Sequence, residues 1–93
     1  MTEAKKENYI GTGLRRLRKE KGWTQEELAD KSDLEPRTIQ KLESNENSPT
    51  LNTIVSLAES FEMEHWEFLK NIKDEIVYKY PEKKKTKQKR PKS

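Results

Sequence analysis

The stretch TQEELADKSDLEPRTIQKLE, residues 24–43, holds two helical patterns with almost no chain between them. Thr24 followed three residues later by Glu27 is the capping-box signature of a helix start, and Leu28 and Ala29 supply that helix with an inner face. The helix cannot run far past Ser32. Pro36 disfavours the α conformation at Glu35 and itself suits the first position of a new helix. Ile39 and Leu42 give this next helix its buried side. Only about three residues are left for the joint, and Asp33 sits where the chain must turn; Asp tolerates the left-handed region better than most residues.

The flanking sequence supplies three more helices. Ile10, Leu14 and Leu17 lie on one face of a first helix, which Gly11 and Gly13 weaken near its start by roughly 1 kcal/mol each relative to Ala. Gly22 stops it, with Lys19 and Lys21 in its last turn. SNENSPT is a turn-rich loop. Thr50 caps a fourth helix with an apolar stripe of Leu51, Ile54, Leu57, Ala58 and Phe61. A long fifth helix is expected over 64–80, carried by Leu69, Ile72 and Ile76 and ended by Pro81. Strand signals are absent. The expected organisation is a polar flexible arm over 1–8, an all-α five-helix domain over 9–80, and a Lys-rich disordered tail over 81–93. The tight pair over 24–43 is the helix-turn-helix arrangement.

Composition narrows the chemistry. Hydrophobic residues are 29% of the chain and charged residues 40%, so the core must be small. With no cysteine there is neither a disulfide framework nor a Cys-based zinc site. The N-terminus lacks an apolar signal region, and no apolar run approaches a membrane span, so a cytoplasmic protein without a membrane partner is expected. The net charge of +3 conceals an asymmetry. Residues 82–93 hold seven basic groups (Lys83, Lys84, Lys85, Lys87, Lys89, Arg90, Lys92) against Glu82, so they carry +6 and residues 1–81 carry −3. A nucleic-acid function for the folded part must therefore rest on a site rather than on pooled charge. There is no nucleophile–base constellation, phosphate loop or metal-ligand spacing, and His65 stands alone; an enzyme, a cofactor, a metal or a small-molecule ligand is not expected.

LRKEKGWTQEELA, TIQKLE and the following SPTL together resemble the lambda-repressor-like helix-turn-helix domain of phage repressors, Cro and XRE-type regulators, over about residues 10–69. The resemblance implies a five-helical fold that binds double-stranded DNA, usually as a homodimer. It implies that Gln25 contacts the DNA backbone and braces the recognition helix. Bases would be read from Glu35, Pro36 and Arg37 and, one turn later, from Lys41, with Gln40 beside them. It also implies a structural pair between Arg18 and Glu43. The sequence departs from the family at Asp33, Asn45 and Glu62, where Gly is usual or frequent, and at Glu46, where a basic residue is common.

Chemistry at a B-DNA groove suits these residues. Arg37 can bond guanine O6 and N7 bidentately, Lys41 can act there as a point charge, and Gln40 suits adenine. Glu35 can accept from cytosine N4 or repel phosphate in wrong registers, and the Pro36 ring can touch a thymine methyl. Backbone anchoring is expected from Thr24, Gln25, Thr38, Ser44, Asn45 and Asn47, and from Arg15 or Arg16. Leu69, Ile72 and Ile76, with Trp66 and Phe68, form the expected dimer seam, although the same stripe suits folding back onto its own core. The expected function is a stand-alone transcriptional repressor or controller that reads a palindrome. The alternatives are an antitoxin-type autoregulator and a protein-interaction adaptor, with a partner such as a toxin or RNA polymerase. The basic tail is expected to add salt-sensitive attraction to DNA, or else to serve only solubility.

Overall fold

The computed structural model describes residues 7–79. Five helices are clasped at one side by a two-stranded ribbon. In chain order these are β1 (Glu7–Tyr9), α1 (Gly11–Glu20), α2 (Gln25–Ser32), α3 (Pro36–Glu43), α4 (Leu51–Ser60), α5 (His65–Ile72), a 3-10 turn (Lys73–Glu75) and β2 (Val77–Lys79). Residues 1–6 of the expected arm, Tyr80 and the expected tail lie outside the described residues.

Local chemistry accounts for the helix boundaries. Thr24 Oγ1 accepts from the Glu27 amide at 3.0 Å while Glu27 Oε1 accepts from the Thr24 amide at 2.8 Å, so the capping box is complete. Thr50 caps α4 through the Thr53 amide at 3.1 Å. Pro36 stands in the first turn of α3, and Asp33 takes the left-handed conformation that closes α2.

Leu14, Leu28, Ile39, Leu42, Leu57, Phe68 and Ile72 are fully buried and form the centre of the core. Each such side chain contributes about 1.5–3 kcal/mol through removal from water. Trp23, Phe61 and Phe68 stack in series, with ring centroids 5.3 and 6.1 Å apart. Helix α3 packs on α1 and α2, whereas α5 packs on α1 and α4.

The two N-terminal glycines are explained by close approach rather than by helix propensity. A Cβ on Gly11 would lie 2.5 Å from the Glu43 carbonyl oxygen and from Asn45 Oδ1, and one on Gly13 would lie 2.5 Å from Ile72 Cβ. The ends of α3 and α5 can seat against α1 only because these positions lack a side chain.

The structure corrects four expectations. The long fifth helix stops at Ile72. Arg16 Nη2 donates to the Asn71 carbonyl at 3.1 Å and its guanidinium grips Glu75, so the chain tightens into a 3-10 turn and then extends at Ile76. Strands do exist: β1 and β2 pair antiparallel, Glu7 with Lys79, Asn8 with Tyr78 and Tyr9 with Val77. Residues 7 and 8, expected in the arm, therefore belong to the fold. Ser48 holds the other edge of β1, donating to the Asn8 carbonyl at 3.0 Å and accepting its amide at 3.2 Å. Leu51 is 67% exposed and faces away from the core that the rest of the α4 stripe joins. Finally, Phe68 and Ile72, expected in a dimer seam, are both fully buried within the chain's own core.

Candidate nucleic-acid interface

Helix α3 is amphipathic in the strict sense. Ile39 and Leu42 are buried, Pro36, Arg37 and Gln40 are exposed, and Lys41 is half-buried. Arg37, Gln40, Lys41 and Ser44 recur at three- and four-residue spacing and so occupy one outward stripe. Glu35 is exposed at the N-cap and makes no side-chain cap bond. Thr38 is half-buried on the flank, beside the loop that carries the exposed Ser44 and Asn47.

The stripe is held in place by a carboxylate at its far end. The Glu43 side chain is 1% exposed. It accepts from Arg18 Nε at 2.6 Å, Arg18 Nη2 at 2.9 Å and Gln25 Nε2 at 3.0 Å. Arg15 Nε stands 3.7 Å away. Arg18 also donates to the Trp23 carbonyl at 2.8 Å, so one guanidinium ties α1, the α1–α2 joint and α3 together. Burial alone would push the Glu43 carboxyl up. The bonds from Arg18 and Gln25, helped by the charges of Arg18 and Arg15, outweigh it and hold the group below the ordinary carboxylate value. The same pairing raises the Arg18 guanidinium above its ordinary value.

The arginines divide sharply. Arg18 is committed to Glu43. Arg16, one of the two alternatives for backbone anchoring, is turned instead toward the end of α5, against Glu75, Glu20 and Asn71. Its place in the anchoring set is therefore a correction. Its ion pair with Glu75 at 2.8 Å raises the guanidinium and lowers the carboxyl from their ordinary values. Arg15 stays 54% exposed beside Glu43, near the middle of α1. Arg37 makes no ion pair or side-chain hydrogen bond among the described residues, and neither do Gln40 and Lys41.

The anchoring candidates around the stripe are partly occupied. Thr24 accepts its capping bond, Gln25 braces Glu43, and Asn45 Oδ1 accepts from the Gly11 amide at 3.0 Å. Asn45 has φ 60°, the left-handed value that closes α3 in place of the usual Gly. Ser44 donates to Glu46 at 2.9 Å, which fixes that acid beside the loop.

On the α5 side, Trp66 is 57% exposed, while Leu69 and Ile76 are half-buried. With Tyr78 and Ile54 they line an apolar groove of about 560 Å³ rimmed by Lys70 and Lys73. Tyr78, Asn8 and Ser48 carry no sequence signal for these places, because each strand is only three residues long. Among the described residues no cluster of His, Asp and Glu could hold a metal ion, and no helix is long and apolar enough to cross a membrane.

Comparison with known proteins matches these features. The helix-turn-helix family HTH_3 matches residues 14–67, more than half of the chain. An HTH-type transcriptional regulator of Sinorhizobium fredii, y4dJ, is 35% identical over 60 residues, which cover 64% of this chain and 78% of that protein. Antitoxin HipB of Escherichia coli K12 is 33% identical over 54 residues, and the match spans 58% of this chain and 61% of HipB. Among solved structures, the restriction-modification controller C.AhdI of Aeromonas hydrophila superposes with a TM-score of 0.60 at 34% identity, covering 63% of this chain and 89% of that one. The restriction-modification controller C.Esp1396I superposes with a TM-score of 0.63 at 29% identity, covering 71% and 85%. By its matched segment, its joint and its five-helix fold, the chain belongs to the helix-turn-helix family of DNA-binding, XRE-type transcription regulators.

Proposed function

We propose that the protein is a sequence-specific regulator that lays α3 in the major groove and reads a palindromic operator as a homodimer. The observation that carries this reading is the contrast among the guanidinium groups. Arg15, Arg16 and Arg18 each lie against a carboxylate, while Arg37 stands exposed on α3 with no partner among the described residues. An unpaired arginine on a braced helix is ready to bond guanine, and each such contact contributes roughly 1–3 kcal/mol of discrimination. Gln40 and Lys41 extend the reading by one turn, and Glu35 and Pro36 open it. Arg15, Thr38, Ser44 and Asn47 supply phosphate contacts around the stripe, with the remaining donors of Thr24, Gln25 and Asn45.

The dimer seam is the groove lined by Trp66, Leu69 and Ile76, now without Phe68 and Ile72, which belong to the core. Two copies joined there present two α3 helices to half-sites about ten base pairs apart. The work is placed in the cytoplasm, at the nucleoid, by its DNA partner. The likeness to restriction-modification controllers favours a stand-alone controller. The likeness to antitoxin HipB supports a second reading, an autoregulator whose Trp66 groove takes a protein partner.

Selection of bound sequences from a random duplex pool tests the proposal. A palindromic consensus with half-sites one helical turn apart is the expected result, and sedimentation should show a dimer that Trp66→Asp weakens. A pool that yields no preferred sequence would contradict base reading by α3. A partner-dependent gain of affinity in place of self-association would favour the autoregulator.

A further inference from the structure

Glu46, Asn47 and Ser48 are exposed on the loop between α3 and α4, next to the end of the α3 stripe. The loop is fastened at both sides of Asn47. Asn45 Oδ1 accepts from the Gly11 amide at 3.0 Å. Ser48 Oγ donates to the Asn8 carbonyl at 3.0 Å and accepts from the Asn8 amide at 3.2 Å. The Glu46 and Asn47 amides both return to the Lys41 carbonyl, at 2.9 and 3.4 Å. Asn47 therefore sits between two anchors that tie the loop to β1 and the start of α1. Its own side chain makes no hydrogen bond among the described residues.

Ser48 takes the place that a further strand would fill. In an antiparallel pair, a residue that does not exchange bonds with the one opposite turns its N–H and its C=O outward together. Asn8 stands opposite Tyr78, and both of its backbone groups go to Ser48. One hydroxyl can meet both because it donates and accepts at the same atom. Pro49 favours the extended backbone that Ser48 needs beside a strand. The anchor on the other side is firm as well. β1 runs into α1 through the buried Ile10, and β2 follows the turn that Arg16 holds through Glu75 at 2.8 Å.

The side chains on this loop make its placement matter. Asn47 offers a neutral amide donor that suits a phosphate oxygen, whereas Glu46 carries a charge that repels one. Ser44 restrains Glu46 by donating to it at 2.9 Å. A loop free to turn would bring either side chain to the duplex, and ordering it at the moment of binding would lower affinity.

We propose that Ser48 is a positioning residue for DNA binding: by pairing with both backbone groups of Asn8 it fixes the loop so that Asn47 meets a phosphate. The inference rests on the proposed function and adds to it a part for the ribbon. Ser48 itself need not touch the duplex.

The test uses the full chain and four variants: Ser48→Ala, Ser48→Thr, Asn47→Ala, and Ser48→Ala combined with Asn47→Ala. Affinity is titrated on the duplex selected from the random pool and on one of scrambled order, and urea midpoints are read in parallel. Ser48→Ala should weaken binding to both duplexes by roughly three- to ten-fold, the effect of one lost hydrogen bond. Ser48→Thr keeps the hydroxyl and should bind like the parent. Asn47→Ala should weaken binding by a similar factor. Adding Ser48→Ala to it should change affinity by less than about two-fold, because the contact that Ser48 positions is already gone. A serine with a merely structural part would lower the urea midpoint and leave the affinity of the folded protein unchanged, or would add its full factor in the Asn47→Ala background. Either result overturns the inference, and so does an Asn47→Ala variant that binds like the parent. A loss confined to the selected duplex overturns it too, since that would place the effect on α3. If the pool yields no preferred sequence, base reading fails, and the same cycle on the scrambled duplex still decides the part of Ser48.

Discussion

The α2–α3 and α4–α5 pairs are joined in the same way and do different things. In the first, Asp33 is left-handed at φ 59°, the Leu34 amide bonds the Ala29 carbonyl at 2.9 Å, and Glu35 opens the next helix. In the second, Glu62 is left-handed at φ 59°, the Met63 amide bonds the Ala58 carbonyl at 2.9 Å, and Glu64 opens the next helix. Leu34 and Met63 both tuck against the core from the position after the turn, as a hydrophobic contact at a Schellman close should. Even the α1–α2 joint repeats the pattern with Gly22, Trp23 and Thr24. The joints thus set the path of the chain, and the outward face of the following helix sets the task. On α3 that face carries Arg37, Gln40 and Lys41; on α5 it carries Trp66 and Lys70 over an apolar groove.

The largest way to break this comparison is to remove the buried brace of the first pair, since the Arg16 grip on Asn71 and Glu75 is more exposed. Arg18→Ala leaves Glu43 buried without its main partner and should cost about 3–5 kcal/mol of stability, read as a fall in the urea midpoint. A drop within about 1 kcal/mol would mean that Gln25 and Arg15 suffice. The same network predicts a pH dependence. The folded value of Glu43 is depressed, so its contribution is fully present above the ordinary glutamate value and is lost as pH falls through the lower folded value. Urea midpoints measured from neutral pH to about pH 3 should decline in acid, and Glu43→Gln should flatten part of that decline.

The second pair is seated by close approach as well, through Gly13 where the first uses Gly11. Gly13→Ala would drive a methyl into Ile72, and overpacking of this kind costs about 1–3 kcal/mol. Thermal unfolding should show the loss, and an unchanged midpoint would mean that α5 slides freely on α1.

The smallest expected effect sharpens the likeness of the two joints. Asp33→Gly and Glu62→Gly each relieve a left-handed non-glycine residue. That conformation costs roughly 1–2 kcal/mol, partly offset by glycine's greater unfolded freedom, so a gain of about 0.5–1 kcal/mol is expected at both. Unequal gains would show that one side chain has a compensating role that its turn geometry does not reveal.

Much of the first pair can be read in sequence because its signals are local. Thr24 with Glu27, Asp33 and Pro36 act within four residues of themselves. The Arg18–Glu43 pair is not local, and only the family resemblance points to it. The C-terminal region misleads for the opposite reason. Leu69, Ile72 and Ile76 keep helical spacing past the point where the helix ends, because the terminating contact comes from Arg16, 59 residues before Glu75. Three-residue strands such as ENY and VYK are too short to show alternation, and their pairing spans the whole domain. Phe68 and Ile72 look like an interface stripe until the packing of α1 and α4 encloses them. On α3, periodicity finds the outward face, but only three-dimensional pairing separates the uncommitted Arg37 from the committed Arg16.

The central claim is that the outward stripe of α3 reads bases. Its most direct test measures the parent and Arg37→Ala against a set of duplexes in which each base pair of the selected half-site is changed in turn. The parent should lose roughly 1–3 kcal/mol at each contacted pair, and Arg37→Ala should abolish that penalty at one guanine-bearing position while keeping the others. Uniform weakening of Arg37→Ala across every duplex, with the pattern of penalties unchanged, would contradict the account and reduce Arg37 to a phosphate contact.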